Sequence, residues 1–204
     1  MPEFSAKDVQ KLRQLSGAGM MDAKNALVET DGDMEKAAAL LQERGLAKVQ
    51  KRAGEREAHQ GSIGTYVHHQ ADRPVIGVLV DLASETDFVA KHPDFKTTAD
   101  DIAMHVAWGR PRWIRRDEVD ADELAAERER LADEARREGK PDQIVEKIVE
   151  GRIKSFLEAH VLYDQKFANT EKFEGTVEAY VNQLAAKMGE NISVRRIARF
   201  EIGD

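Results

Sequence analysis

Cysteine is absent from this 204-residue chain, which excludes a disulfide framework and thiolate metal sites and fits a reducing compartment. A basic, apolar leader is missing as well: Met1 is followed by Pro2-Glu3-Phe4-Ser5, so nothing suggests export. The apolar runs are far too short to cross a membrane. These absences lead to the expectation of a soluble, cytoplasmic protein with no membrane partner. A basic excess is lacking too, since 31 Lys and Arg against 38 Asp and Glu leave a formal charge of −7, which argues against direct, general nucleic-acid binding. The acidic excess is local: residues 117–150 hold 13 acidic and 6 basic side chains, whereas residues 1–60 hold 10 of each. It reads as a solvated helical face.

Motifs for chemistry are equally sparse. His68 and His69 are adjacent, but neighbours on a strand point to opposite faces and cannot jointly hold one metal ion. His59, His92, His105 and His160 are scattered, without the helical pairing of a zinc motif. Gly17-Ala18-Gly19 lies between helices and lacks the Lys-Ser or Lys-Thr of a phosphate loop. No nucleophile elbow occurs, and no spacing places two carboxylates in a common apolar cleft. A binding protein is therefore expected rather than an enzyme, with no metal site.

What is present is a clear alternation of element types. Ser5-Ala6-Lys7-Asp8 has the spacing of a capping box, and Val9, Leu12 and Leu15 follow at helical intervals. Ser16-Gly17-Ala18-Gly19 breaks that helix; a second runs from Met20 to near Thr30, and Asp33 caps a third that Gly45 is expected to stop. Residues 1–45 thus predict a three-helix bundle with a Leu and Ala core. Residues 46–60, rich in Lys, Arg and Glu, read as a charged linker with helical tendency. From Gly61 the pattern predicts a hairpin, with strands over Ser62–His69 and Val75–Leu82 joined by a turn at Gln70–Pro74. Helices are expected over 95–108, 120–138, 141–159 and 173–188, followed by a strand over 192–202 that can pair only with the hairpin. Residues 61–204 then form an α+β core, a small antiparallel sheet of about three strands packed with helices.

Two places stand out as contact surfaces. Phe88 follows directly on the strand, in Glu85-Thr86-Asp87-Phe88-Val89-Ala90-Lys91, where it is either a plug folded back on the sheet edge or a residue held out for a partner. Spacing alone slightly favours the plug. Met20 and Met21 open the second helix about 100° apart around its axis, so at least one thioether is expected to face away from the core. Exposed methionine is an adaptable binding residue, although core positions for both are also open.

Leu12 to Leu27, with its Ser16-Gly17-Ala18-Gly19-Met20-Met21-Asp22-Ala23-Lys24 centre, and Glu85 to Lys91 together resemble the two characteristic motifs of the bacterial elongation factor Ts family. Gly139-Lys140-Pro141, Glu150-Gly151-Arg152, Gly189-Glu190-Asn191-Ile192 and the closing Arg195-Arg196 strand are similar to its C-terminal half. The chain is similar to the short, single-core members. Ser16 stands where Thr is common in the family, and Asp81, Ala83 and Ser84 depart from its usual Glu and Asn-Cys pair. The resemblance implies a ubiquitin-associated-like N-terminal bundle, no catalytic residues and no cofactor. It implies a guanine nucleotide exchange factor for the GDP-bound translation GTPase elongation factor Tu, with the Thr86, Asp87, Phe88, Val89 turn inserted near the magnesium site of that GTPase. It also implies bundle contacts through Met20, Met21 and Lys24, a strand contact through His68 or His69, and a homodimer in a 2:2 complex. Two other readings are a ubiquitin-associated-like adaptor, which leaves the turn unexplained, and an RNA-associated translation protein acting through Arg110, Arg112, Arg115 and Arg116.

Overall fold

The computed structural model describes residues 4–53 and 58–203. Helix α1 (Ala6–Ser16) starts at the expected capping box: the Ser5 hydroxyl accepts from the Asp8 N–H at 3.3 Å, and the Asp8 carboxylate accepts from the Ser5 N–H at 2.7 Å. It ends at Gly17, whose φ of +69° suits glycine and turns the chain toward α2 (Met20–Glu29). Asp33 caps α3 (Met34–Ala53) by accepting from the N–H groups of Glu35 and Lys36. Val9, Leu12, Ala23, Ala26, Leu27, Ala37 and Leu41 form the buried core of this bundle, the Leu and Ala interior that the spacing predicts.

Helix α3 does not stop at Gly45. It continues to Ala53 and takes up the first half of the expected linker, of which residues 54–57 lie outside the described residues. Gly45 owes its place to close packing. A Cβ built there would stand 3.1 Å from the Ala186 Cβ, so the residue lets a helix backbone approach another rather than ending one.

Strands β1 (Gln60–Gln70) and β2 (Arg73–Ser84) form the expected hairpin, but its turn is tighter than the sequence suggests. Only Ala71 and Asp72 lie in it, with φ of +49° and +62°, the left-handed pair that matches strand twist in two-residue hairpins. The composition of Gln70–Pro74 is that of a longer turn, yet Arg73 and Pro74 already belong to β2. Four-residue α4 (Asp87–Ala90) follows β2, then α5 (Pro93–Gly109), α6 (Ala121–Arg137), α7 (Asp142–His160), α8 (Val177–Met188) and β3 (Ser193–Glu201). Helix α8 begins four residues later than expected. Phe173 instead packs against Phe167 and Tyr180, at ring separations of 6.4 and 5.2 Å, and Thr176 accepts from the Ala179 N–H to start the helix. The sheet order is β1-β2-β3, so the last strand pairs with the hairpin as its isolation requires. The fold is α+β.

The chain forms two compact units, and the cut passes through the strands. One holds residues 1–64, 81–99 and 181–195, and so joins the bundle to the end of β2, α4, the start of α5 and most of α8. The other holds residues 65–80, 100–180 and 196–204. In it α6 and α7 pair as an antiparallel hairpin over Leu131, Ala135, Val145, Val149 and Ile153, which leaves the acidic positions of 117–150 on the outside. Among the described residues no helix is long and apolar enough to cross a membrane.

Candidate functional site

The last residues of β2, Leu82, Ala83 and Ser84, are fully buried, and Asp81 beside them is tied to Arg195 at 3.2 Å. The strand therefore delivers the following turn from a fixed base. Ser84 donates its hydroxyl to the Thr86 carbonyl at 3.0 Å, and Thr86 caps α4 by accepting from the Val89 N–H. Ala90 is the buried residue of α4. Because helical positions two apart differ by about 200° in direction, turning Ala90 inward turns Phe88 outward.

Phe88 is 83% exposed. The expectation that it folds back to seal the sheet edge is thus overturned: Ala90 fills the inward position and the ring is left exposed. Asp87 lies beside it in an ion pair with Lys91, Oδ2 to Nζ 2.6 Å, one helical turn away. The Lys91 hydrogen bond and charge hold the Asp87 carboxyl below its ordinary value, so the tip presents an ionised carboxylate next to a bare aromatic ring.

A second anchor of the turn comes from 104 residues later. Glu190 Oε2 accepts from the N–H groups of Glu85 and Thr86, each at 3.1 Å, and its Oε1 accepts from the Thr86 hydroxyl at 2.6 Å. Glu85 returns the arrangement by accepting from the Asn191 N–H at 2.8 Å. This pairing is not visible in the sequence. Its only local signal is Glu190 in the Gly189-Glu190-Asn191 turn, and nothing there says which backbone the carboxylate meets.

On α2 the buried stripe is Ala23, Ala26 and Leu27, at i, i+3 and i+4. Met21, Lys24 and Val28 consequently occupy the opposite face, with Met20 at its margin; Met20 is 48% and Met21 64% exposed, and Lys24 is exposed. Both methionines thus face solvent, which closes the core alternative. The bundle surface and the Thr86–Val89 turn belong to the same compact unit, where a cavity of about 150 Å³ is lined by Ser16, Asp22, Leu41, Arg44 and, from α8, Ala186.

His68 and His69 belong to the other unit. They point to opposite faces of β1: His68 is half-buried, with its ring edge-on to Trp108 at 4.8 Å and near Tyr66 at 6.4 Å, while His69 is exposed. Trp108, itself 54% exposed, lies in the last turn of α5 beside His68, a neighbour that sequence spacing does not reveal. The four arginines of the RNA reading are each paired with a carboxylate: Arg110 with Glu201, Arg112 with Glu123, Arg115 with Glu118 and Arg116 with Asp164. Arg112 also covers the Trp113 ring at 4.2 Å, so this aromatic face is already occupied.

Known proteins resemble this chain along nearly its full length. The family described as Elongation factor TS matches residues 6–174. Elongation factor Ts of Fervidobacterium nodosum is 48% identical over 202 residues, covering 99% of this chain and 100% of its own. The protein of the same name from Desulforamulus reducens is 48% identical over all 204 residues, covering 91% of its own length. That of Thermosipho melanesiensis is 45% identical over 201 residues, covering 98% of this chain and 100% of its own.

Proposed function

This chain belongs to the elongation factor Ts family, and we propose from that membership that it is a guanine nucleotide exchange factor for the translation GTPase elongation factor Tu. It acts by binding the GDP-bound GTPase rather than by bond-making chemistry. The observation that carries the reading is the tip of α4: a phenylalanine 83% exposed beside an ionised carboxylate, on a turn anchored from two sides. An isolated aromatic of that exposure gains nothing in the free protein and becomes favourable only when a partner covers it. Thr86, Asp87, Phe88 and Val89 insert near the magnesium site of the GTPase, while Met20, Met21 and Lys24 dock the bundle and His68 or His69 adds a strand contact. A protein of this kind also acts as a homodimer, two copies carrying two GTPases; the exposed Val67, Leu79 and Phe200, on strand faces turned away from α5, support a contact between copies.

Exchange requires that factor and nucleotide weaken each other's binding reciprocally. Accelerating GDP release about 10,000-fold lowers the barrier by about 5.5 kcal/mol. Burying one Phe side chain contributes about 1.5–3 kcal/mol. The tip is therefore insufficient alone, and the bundle and core contacts must supply the binding energy that holds a distorted GTPase. Stopped-flow release of a fluorescent GDP from elongation factor Tu tests the division of labour. Phe88→Ala is expected to lower the maximal release rate about 10- to 100-fold at saturating factor, and an unchanged maximal rate would overturn the insertion.

A further inference from the structure

In the first unit, both proposed contact surfaces are fastened to one short segment, residues 186–191 at the end of α8. At one end of it, Ala186 receives α3 at Gly45, and the Lys187 carbonyl receives the bundle's first turn at Gly17, where an added Cβ would stand 2.9 Å from the carbonyl oxygen. At the other end Glu190 grips the backbone of Glu85 and Thr86. A carboxylate that accepts three hydrogen bonds, two from successive N–H groups and one from a hydroxyl, defines the orientation of the peptide planes it holds. Those planes set the direction of α4. Phe88, being exposed, has no packing of its own to orient it, and so inherits its direction from residues 85–87. The Thr86 hydroxyl is committed on both sides, donating to Glu190 and accepting from the Val89 N–H, so the cap of α4 depends on the same carboxylate.

We propose that Glu190 is a positioning residue for nucleotide exchange: it holds the Thr86–Val89 turn in the inserting direction, on a bracket, residues 186–191, that also seats the bundle. This rests on the exchange function proposed above. Glu190 acts through Thr86, whose N–H and hydroxyl it holds. Its replacement should therefore spare docking, which the bundle and core carry, and impair the step in which the turn enters the GTPase.

The test compares the full-length chain with Glu190→Ala and Glu190→Gln in two measurements. In stopped-flow GDP release from elongation factor Tu, Glu190→Ala is expected to lower the maximal rate at least 10-fold while the half-saturating concentration changes less than about 3-fold. Glu190→Gln keeps the shape and an oxygen acceptor for the two N–H groups, and should retain a maximal rate within about 3-fold of the parent. In the free proteins, hydrogen exchange at the Glu85 and Thr86 amides should accelerate at least 10-fold in Glu190→Ala and remain slow in Glu190→Gln, with the rest of the chain unchanged. An unaltered maximal rate in Glu190→Ala, or unaltered protection of those two amides, overturns the positioning role. A parent chain that leaves GDP release unaccelerated overturns the exchange function instead, and the two failures are read from different samples. Should Glu190→Ala unfold, Glu190→Gln and Glu190→Asp carry the test: the proposal stands if the shorter Asp loses maximal rate and amide protection together, and falls if it loses neither.

Discussion

Phe88 and the two methionines expose similar kinds of surface but are held differently, and this decides what each contributes to binding. Phe88 sits on a four-residue helix whose cap and backbone are pinned, so its covering by a partner is coupled to a defined direction of approach. Met20 and Met21 extend from the first turn of a ten-residue helix that leans on Ala23, Ala26 and Leu27, and their unbranched thioethers can adapt to an uneven surface. Met20→Ala is therefore expected to raise the half-saturating concentration in the GDP-release assay about 5- to 30-fold, the equivalent of about 1–2 kcal/mol of contact, and to leave the maximal rate nearly unchanged. A titration of factor at fixed GTPase separates the two parameters. Ala83 has no side chain able to bond the turn, yet the turn is held by other groups: Ser84 donates to the Thr86 carbonyl, Glu190 accepts from the Glu85 and Thr86 N–H groups, and the Glu85 carboxylate accepts from the Asn191 N–H.

At the scale of elements, two arrangements make specific demands on single residues. His105 of α5 is 2% exposed and faces residues 165–168: its Nε2 bonds the Gln165 Oε1 at 2.9 Å, and its Nδ1 accepts from the Ala168 N–H at 3.1 Å. Gln165 spends its amide protons on the carbonyls of Gly109 and Ala159, so its oxygen is the acceptor and the imidazole is the neutral Nε2–H form. Burial pushes the His105 pKa below its ordinary 6.5, with the Gln165 bond opposing in part. As pH falls through 6.5 the unfolded chain takes up a proton that the folded chain refuses, so stability falls until the folded imidazole itself is protonated. Urea unfolding between pH 7.5 and 5 should show that decline, and the ring nitrogens of His105 should keep the neutral Nε2–H signature by NMR at pH 6. The second demand is at Gly17, which ends α1 at φ +69° with the Lys187 carbonyl against it. Gly17→Ala is expected to cost about 1–3 kcal/mol in urea unfolding through the left-handed strain, and the steric contact adds to it.

For the whole molecule, the exposed apolar residues divide by unit. Met20, Met21 and Phe88 lie in the unit that carries the bundle and turn contacts proposed for the GTPase, and Val67, Leu79 and Phe200 in the other, beside the proposed strand histidines, where a second copy is their proposed cover. Sedimentation velocity should find a dimer for the parent chain, and Leu79→Lys should shift it to monomer while each monomer still accelerates GDP release. A parent chain that sediments as a monomer across micromolar concentrations would remove the 2:2 complex.

The order and type of the elements follow from local sequence: the Ser5-Asp8 box, Asp33, the alternation before Leu82 and the Leu-Ala spacing of the bundle each act over a few residues, where capping and side-chain period decide the outcome. The two proposed contact surfaces are short contiguous motifs for the same reason, at Met20–Lys24 and Thr86–Val89, and the structure leaves Met20, Met21 and Phe88 exposed. Distance in sequence hid the rest. Gly45 has the composition of a helix stop, and only the approach of Ala186 makes it a close-packing site within a longer helix. Phe88 has the spacing of a plug, and only the burial of Ala90 and the clasp of Glu190 turn it outward. Hydrogen bonds between residues 104 positions apart depend on where the chain returns after α8. That return is a property of the packed molecule, since no local preference of Glu85, Thr86 or Glu190 specifies it.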